Sequence, residues 1–107
     1  MGNDKVLSMV GLARRAGAVG VGAFLAEKHI QNGKAEMIIV AVDSADNVKK
    51  KFTNSCKYYE VDYYEYGTKD TLGQCTGKEN IAVVSIDDYN FARGIKDKMD
   101  AAVSNQQ

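Results

Sequence analysis

The run GAVGVG at residues 17–22 holds the first residues with an evident chemical use, since glycine lets a backbone close around a phosphate. A dinucleotide-binding fingerprint needs GxGxxG directly after a strand. Here the glycines stand at 17, 20 and 22, and a helical pattern precedes them, so a nucleotide cofactor is not expected. His29 is the only histidine. Standing alone on a helical stretch, it reads as a packing or surface residue rather than a ligand or base. Asp87 and Asp88 are adjacent carboxylates, but their place before a helical pattern makes them capping residues. Cys56 and Cys75 lack CxxC spacing, which argues against a zinc site and for free thiols in a reducing cytosol.

Two further groups have both a plain and a sharper use. The Lys49–Lys51 run reads as a solvated helix face, with a secondary phosphate contact as the sharper alternative. Tyr58, Tyr59, Tyr63, Tyr64 and Tyr66 could stack on bases, although a β-prone setting favours sheet packing. There is no GxxxxGK[ST] loop, GxSxG elbow or HExxH pair. No nucleophile–base or metal constellation can be assembled, so neither catalysis, a metal nor a cofactor is expected.

These residues must be positioned by a chain of 107 residues, enough for one real core and hence one domain. Hydrophobic residues make up 45% and charged residues 26%, a globular balance. The net charge is zero, with 14 basic and 14 acidic residues, which runs against the usual basic surplus of nucleic-acid binders. The distribution is uneven, however. Residues 1–35 carry Lys5, Arg14, Arg15, Lys28 and Lys34 against Asp4 and Glu27, so a polyanion would meet the first third of the chain. No apolar signal core or 18-residue apolar stretch occurs, and a cytoplasmic monomer without a membrane partner is the expectation.

With no proline in the chain, boundaries come from glycine, caps and periodicity. Val6, Met9, Val10 and Ala13 mark one face of a helix over 4–16, stopped by Gly17. Residues 18–22 read as a short extended piece, and a second helix fits 22–32, ahead of Gly33. MIIVAV at 37–42 and IAVVSI at 81–86 read as strands buried on both faces. Between them come a polar helix over about 45–57, capped by Asp43 or Ser44, and a β-prone segment at 61–66. A short helix from Thr68 to Cys75 follows, ended by Gly77. A last helix runs from Asp87 or Asp88 to about 101, and SNQQ should fray. The alternation predicts a three-layer α/β/α sandwich around a small, mixed, four-stranded sheet.

The segment VGLARRAGAVGVGAFLAEKHIQNGKAEMIIVAVD at 10–43, with LGQCTGKENIAVVSI at 72–86, resembles the ribosomal protein family whose archaeal and eukaryotic members bind RNA kink-turns. It is most similar to the small bacterial YlxQ-type branch, and the likeness covers about residues 4–93. The resemblance implies a non-catalytic RNA-binding protein, ribosomal or ribosome-associated, whose partner is structured RNA. In that family the start of the second helix enters the groove beside sheared G·A pairs, and a loop before the last strand cradles an extruded base.

Carried onto this chain, the helix site is Gly22, Ala23, Phe24, Leu25 and Lys28, and the loop site is Gly77, Lys78, Glu79, Asn80 and Ile81. Family binders carry Gly-x-Asn-Glu and then a Lys three residues after the Glu. Here Phe24 and Leu25 stand in place of the Asn and Glu, and only Lys28 is kept. Neither replacement can hydrogen-bond a base edge. A basic pair commonly precedes the family glycine, where this chain has Gly20 and Val21; Arg14 and Arg15 are the candidates to supply that charge instead. Helical spacing suggests that Ala23, Ala26 and Ile30 face inward while Leu25 and Lys28 face out. An exposed Phe24/Leu25 pair would either stack on an RNA base or dock on a protein partner, and both uses remain open.

Overall fold

The computed structural model describes residues 4–105. Nine elements follow one another: α1 (Lys5–Arg15), β1 (Val19–Val21), α2 (Ala23–Gln31), β2 (Met37–Val40), α3 (Asp46–Tyr59), β3 (Asp62–Glu65), α4 (Lys69–Thr76), β4 (Val83–Ile86) and α5 (Tyr89–Asn105). The strands form one sheet in the order β1-β4-β2-β3. β4 lies antiparallel between β1 and β2, while β2 and β3 pair in parallel. β1, β2 and β3 therefore end, and β4 begins, at the same end of the sheet.

β2 and β4 are buried at every position, as expected of uninterrupted apolar runs covered on both faces. One core joins Val6, Leu7 and Val10 of α1, Leu72 of α4 and Ile95 of α5 to Met37, Ile39, Val84 and Ile86. The other joins Ala26 and Ile30 of α2 and Phe52 and Cys56 of α3 to Ile38, Val40 and Val83. The result is the three-layer α/β/α sandwich with a mixed four-stranded sheet that the alternation predicts.

Helix caps divide the two outer layers. On one side, Asp4 Oδ1 accepts from Leu7 N at 2.9 Å, Thr68 and Thr71 form a capping box, and Asp88 Oδ1 accepts from Phe91 N at 3.0 Å. On the other side, Gly22 and Ala45 cap α2 and α3 with no side-chain hydrogen bond. The expected capping of α3 by Asp43 or Ser44 is thus corrected. Asp43 Oδ1 instead accepts from Lys69 N at 2.8 Å, tying the β2–α3 loop to the start of α4. Ser44 Oγ donates to Ala82 O at 3.4 Å. Both side chains are diverted because the β2–α3 loop sits against neighbours that also have polar groups to satisfy.

Three other expectations shift. Tyr58 and Tyr59 belong to the last turn of α3, not to a strand, so sheet packing is not their role. Ala23 is exposed, and only Ala26 and Ile30 of the expected stripe face the core. α5 continues past 101 to Asn105; the fraying expected of the tail falls partly on residues 106–107, which lie outside the described residues.

Removing the Asp43 tie should show in α4. Asp43→Ala should cost about 1 kcal/mol, as loss of a helix-terminal acceptor does, and hydrogen exchange should quicken at Lys69 N. Unchanged exchange there would show that the bond does not hold the helix start. Alkaline pH provides a second check. Burial, with the nearby Glu27 and Asp62 charges, pushes the Cys56 thiol up to about 12. Burial and the hydrogen bond to Asp4 push the Tyr66 phenol up to about 12. Both groups ionise first in the unfolded chain, so the stability they carry is intact at neutral pH and drains away as pH rises above about 9. The urea midpoint should fall between about pH 8 and pH 10.5, and Cys56→Ala should remove part of that fall. A midpoint flat across the interval would contradict both assignments.

Candidate functional site

Gly22 is the pivot between β1 and α2. Its φ of 98°, in the left-handed region, turns the chain sharply from strand to helix. Its N–H donates to Val83 O at 2.9 Å, and its carbonyl accepts from Ala26 N at 3.0 Å. That first helical bond leaves the N–H groups of Ala23, Phe24 and Leu25 without intrahelical acceptors. They lie at the positive end of the helix dipole, which favours anions. Phe24 is 80% exposed and Leu25 39%, and Lys28 is exposed one turn on.

The segment before β4 meets this helix start. Gly77, at φ 75°, ends α4, and Asn80 takes the same left-handed region at φ 53°. Lys78 N donates to Gly73 O at 2.9 Å and Ile81 N donates to Lys69 O at 3.1 Å, so the loop folds back along α4. A Cβ on Gly73 would stand 2.8 Å from Lys78 O and 3.1 Å from Asn80 N, too close for any other residue. Ala82 O accepts from Ala41 N at 2.8 Å, and Val83 O holds Gly22. Gly77, Lys78, Glu79 and Asn80 are exposed, with Ile81 half-buried beneath them.

The helix residues 22–28 and the loop residues 77–81 thus share one end of the sheet. Val42, 48% exposed in the β2–α3 loop, stands at that end too. It went unnoticed in the sequence because it prolongs an apolar run whose other members are buried. Arg14 and Arg15 are placed elsewhere. They close α1, and the turn after it holds Asp87 N through Ala18 O at 2.7 Å, at the far end of β4. Arg15 lines a groove between α1 and α4 with Leu12, Gln74 and Cys75, while Arg14 Nε is buried without a partner among the described residues.

α2 is held to the sheet by a polar cluster that sequence spacing did not reveal. His29 Nδ1 lies 3.0 Å from Asp87 Oδ2 and 3.2 Å from Ser85 Oγ. Ser85 Oγ donates to Asp87 Oδ1 at 2.9 Å and accepts from Gly20 N at 3.2 Å. Asp87 is therefore an anchor for His29, and Asp88 alone caps α5. A hydroxyl, an imidazole and a carboxylate are present, yet this is not a nucleophilic triad. Serine and aspartate both sit on Nδ1, and the buried hydroxyl hands its hydrogen to the carboxylate rather than to the ring. Burial pushes the Asp87 carboxyl up, while Ser85 and His29 pull it back down. A Cβ at position 20 would come within 2.6 Å of both His29 Nδ1 and Ser85 Oγ, so any other residue there would push the cluster apart.

Among the described residues no group of His, Cys, Asp and Glu could hold a metal ion, and no helix is long and apolar enough to cross a membrane. What the sheet end offers is backbone N–H donors, lysines and apolar surface.

A three-layer sandwich with this strand order and this helix–loop junction is the frame of a known class of small proteins. The chain belongs to the ribosomal protein L7Ae/L30e/S12e/Gadd45 family, which matches residues 4–94. It is similar to the RNA-binding protein YlxQ of Bacillus subtilis, 36% identical over 92 residues that cover 86% of this chain and 92% of that protein. The RNA-binding protein YlxQ of Enterococcus faecium is likewise 36% identical, over 94 residues covering 88% and 90%. Among solved structures, a Bacillus halodurans protein described as of unknown function superposes with a TM-score of 0.87 at 31% identity, covering 92% of this chain and 99% of that one. The Giardia lamblia 15.5kD RNA binding protein superposes at 0.74 and 29% identity, covering 89% and 84%.

The clamp on α2 is open to test. His29→Ala leaves a buried carboxylate with one fewer donor and should cost about 1–3 kcal/mol by chemical denaturation. Stability equal to that of the unaltered chain would mean that the imidazole contributes nothing to seating the helix.

Proposed function

We propose that this chain is a non-catalytic RNA-binding module for structured, kink-turn-like RNA. The observation that carries the proposal is the bond from Gly22 N–H to Val83 O. It sets an uncapped helix start beside a glycine-bounded loop, with Lys28 and Lys78 exposed on either side. The names of the two bacterial relatives and of the Giardia lamblia neighbour support RNA as the partner.

In this mechanism the free N–H groups of Ala23, Phe24 and Leu25 face phosphate oxygens at a bend in the RNA, and Lys28 neutralises a phosphate one turn further. Phe24 and Leu25 have no hydrogen-bonding side chain, so they recognise an exposed base by stacking and apolar contact. Gly77–Ile81 receives an extruded nucleotide, with Ile81 as the apolar floor. Arg14 and Arg15 lie at the other end of β4, where they would reach only RNA that continues past the junction. Ribosomal RNA and other kinked RNAs both fit this mode.

The 80% exposure of Phe24 also favours a second use, docking on a protein through the Phe24/Leu25 patch. One titration separates the two. The purified protein is titrated with a kink-turn RNA and a straightened control at several salt concentrations. Tight binding to the kink-turn alone is expected, and Lys28→Ala should flatten the salt slope by about one unit. Weak, equal binding to both RNAs would overturn the RNA reading in favour of protein docking.

A further inference from the structure

The outer face of α3 carries charge and aromatic surface that the junction described above does not use. Its fourteen residues, DNVKKKFTNSCKYY, hold four lysines and one aspartate in a chain whose net charge is zero. The buried face is Phe52 and Cys56. Opposite them, Asn47, Lys50, Lys51, Asn54, Lys57 and Tyr58 are all exposed, at the i, i+3, i+4, i+7 spacing of one helical stripe. Lys49 is spent on Glu65, 3.8 Å away, whereas Lys50, Lys51 and Lys57 make no ion pair among the described residues. Glu27 of the neighbouring α2 is already occupied by Ser55 and Gln31. Asp46 and Glu60 stand only at the two ends of the stripe.

Tyr58 completes the face. It is 79% exposed, and its ring meets Tyr59 edge-on, with centroids 4.8 Å apart and planes at 77°. Tyr58 therefore keeps most of its ring open to solvent. From Lys50 to Tyr58 is about 12 Å along the helix axis, the span of about two extended nucleotides. Lysines in a row with an aromatic at one end match the chemistry of single-stranded nucleic acid, in which backbone charge is tracked and bases stack.

We infer that the exposed stripe of α3, Lys50, Lys51 and Lys57 with Tyr58, is a second contact for single-stranded RNA continuing from the structured element bound at the sheet end. The inference rests on the RNA-binding function proposed above. α3 packs beside α2 and begins at the same end of the sheet, so a strand leaving the junction can follow it. The lysines hold phosphates and Tyr58 stacks one base.

The test uses the full chain and three RNAs: a kink-turn, the same kink-turn with a ten-nucleotide single-stranded uridine extension, and the uridine strand alone. The extension should tighten binding about tenfold, the effect of one stacked base with its phosphates. Tyr58→Ala should abolish most of that gain. Lys50→Ala/Lys51→Ala/Lys57→Ala should lower the salt slope for the extended RNA by about two units. Neither variant should alter binding to the bare kink-turn, and all the substitutions are at exposed helical positions, so melting curves should match. An extension that adds nothing, or a gain that both variants keep, overturns the inference. If the bare kink-turn does not bind, the uridine strand still decides: binding that both variants weaken supports the α3 contact while the junction proposal fails, and binding that neither weakens overturns the α3 contact as well.

Discussion

The placement of β4 governs the rest of the molecule. It is the last strand in the sequence, yet it runs between the first two and against their direction. Its register sets Val83 opposite Val40 and Val84 opposite Val21, which puts the carbonyl of Val83 in reach of the Gly22 N–H. The same register brings Ser85 beneath Gly20 and His29. A one-residue slip would turn Ser85 to the opposite core and break the helix–loop junction in a single step. The hydroxyl in the centre of a buried strand is thus a register mark, satisfied at only one alignment.

The two helical layers have different work to do. α1, α4 and α5 are locked at their starts by carboxylates and threonines, and their neighbouring loops are tied to one another through Asp43 and Tyr66. α2 and α3 start on residues with no hydrogen-bonding side chain and carry Phe24, Leu25, Tyr58 and Tyr59, four of the exposed large apolar or aromatic residues. One layer is tied down at its helix starts, and the other leaves the backbone donors of its helix starts without side-chain caps.

The elements with strong local signals were legible in the sequence. β2 and β4 stood out as apolar runs, and α4 was bracketed by Thr68 and Gly77. Each of these depends on residues close in the chain. Several of the readings that shifted depend on distant contacts. Asp43 looks like a cap for the helix that follows it, but the amide it satisfies is 26 residues away. His29 and Asp87 are 58 positions apart, and no spacing rule joins them. The tyrosines at 58 and 59 sit next to a β-prone stretch, and whether the helix stops before or after them is decided by the left-handed turn at Glu60. At the candidate site, Gly22, Lys28 and the 77–81 loop could be named from the sequence, and only the fold shows that Arg14 and Arg15 lie apart from them.

Gly73 gives the loop at residues 77–80 a particular thermodynamic character. With no side chain between them, the helix backbone serves as a mould on which Lys78 and Asn80 rest directly. The loop's shape is thereby set during folding, before any ligand arrives. To the RNA proposed to bind here, that is a cast surface rather than a fluctuating one, and little conformational entropy would be lost on association. On the RNA-binding role proposed above, selectivity would then rest on the shape of the RNA: a stiff one must be bent to fit, and one already curved fits at little cost.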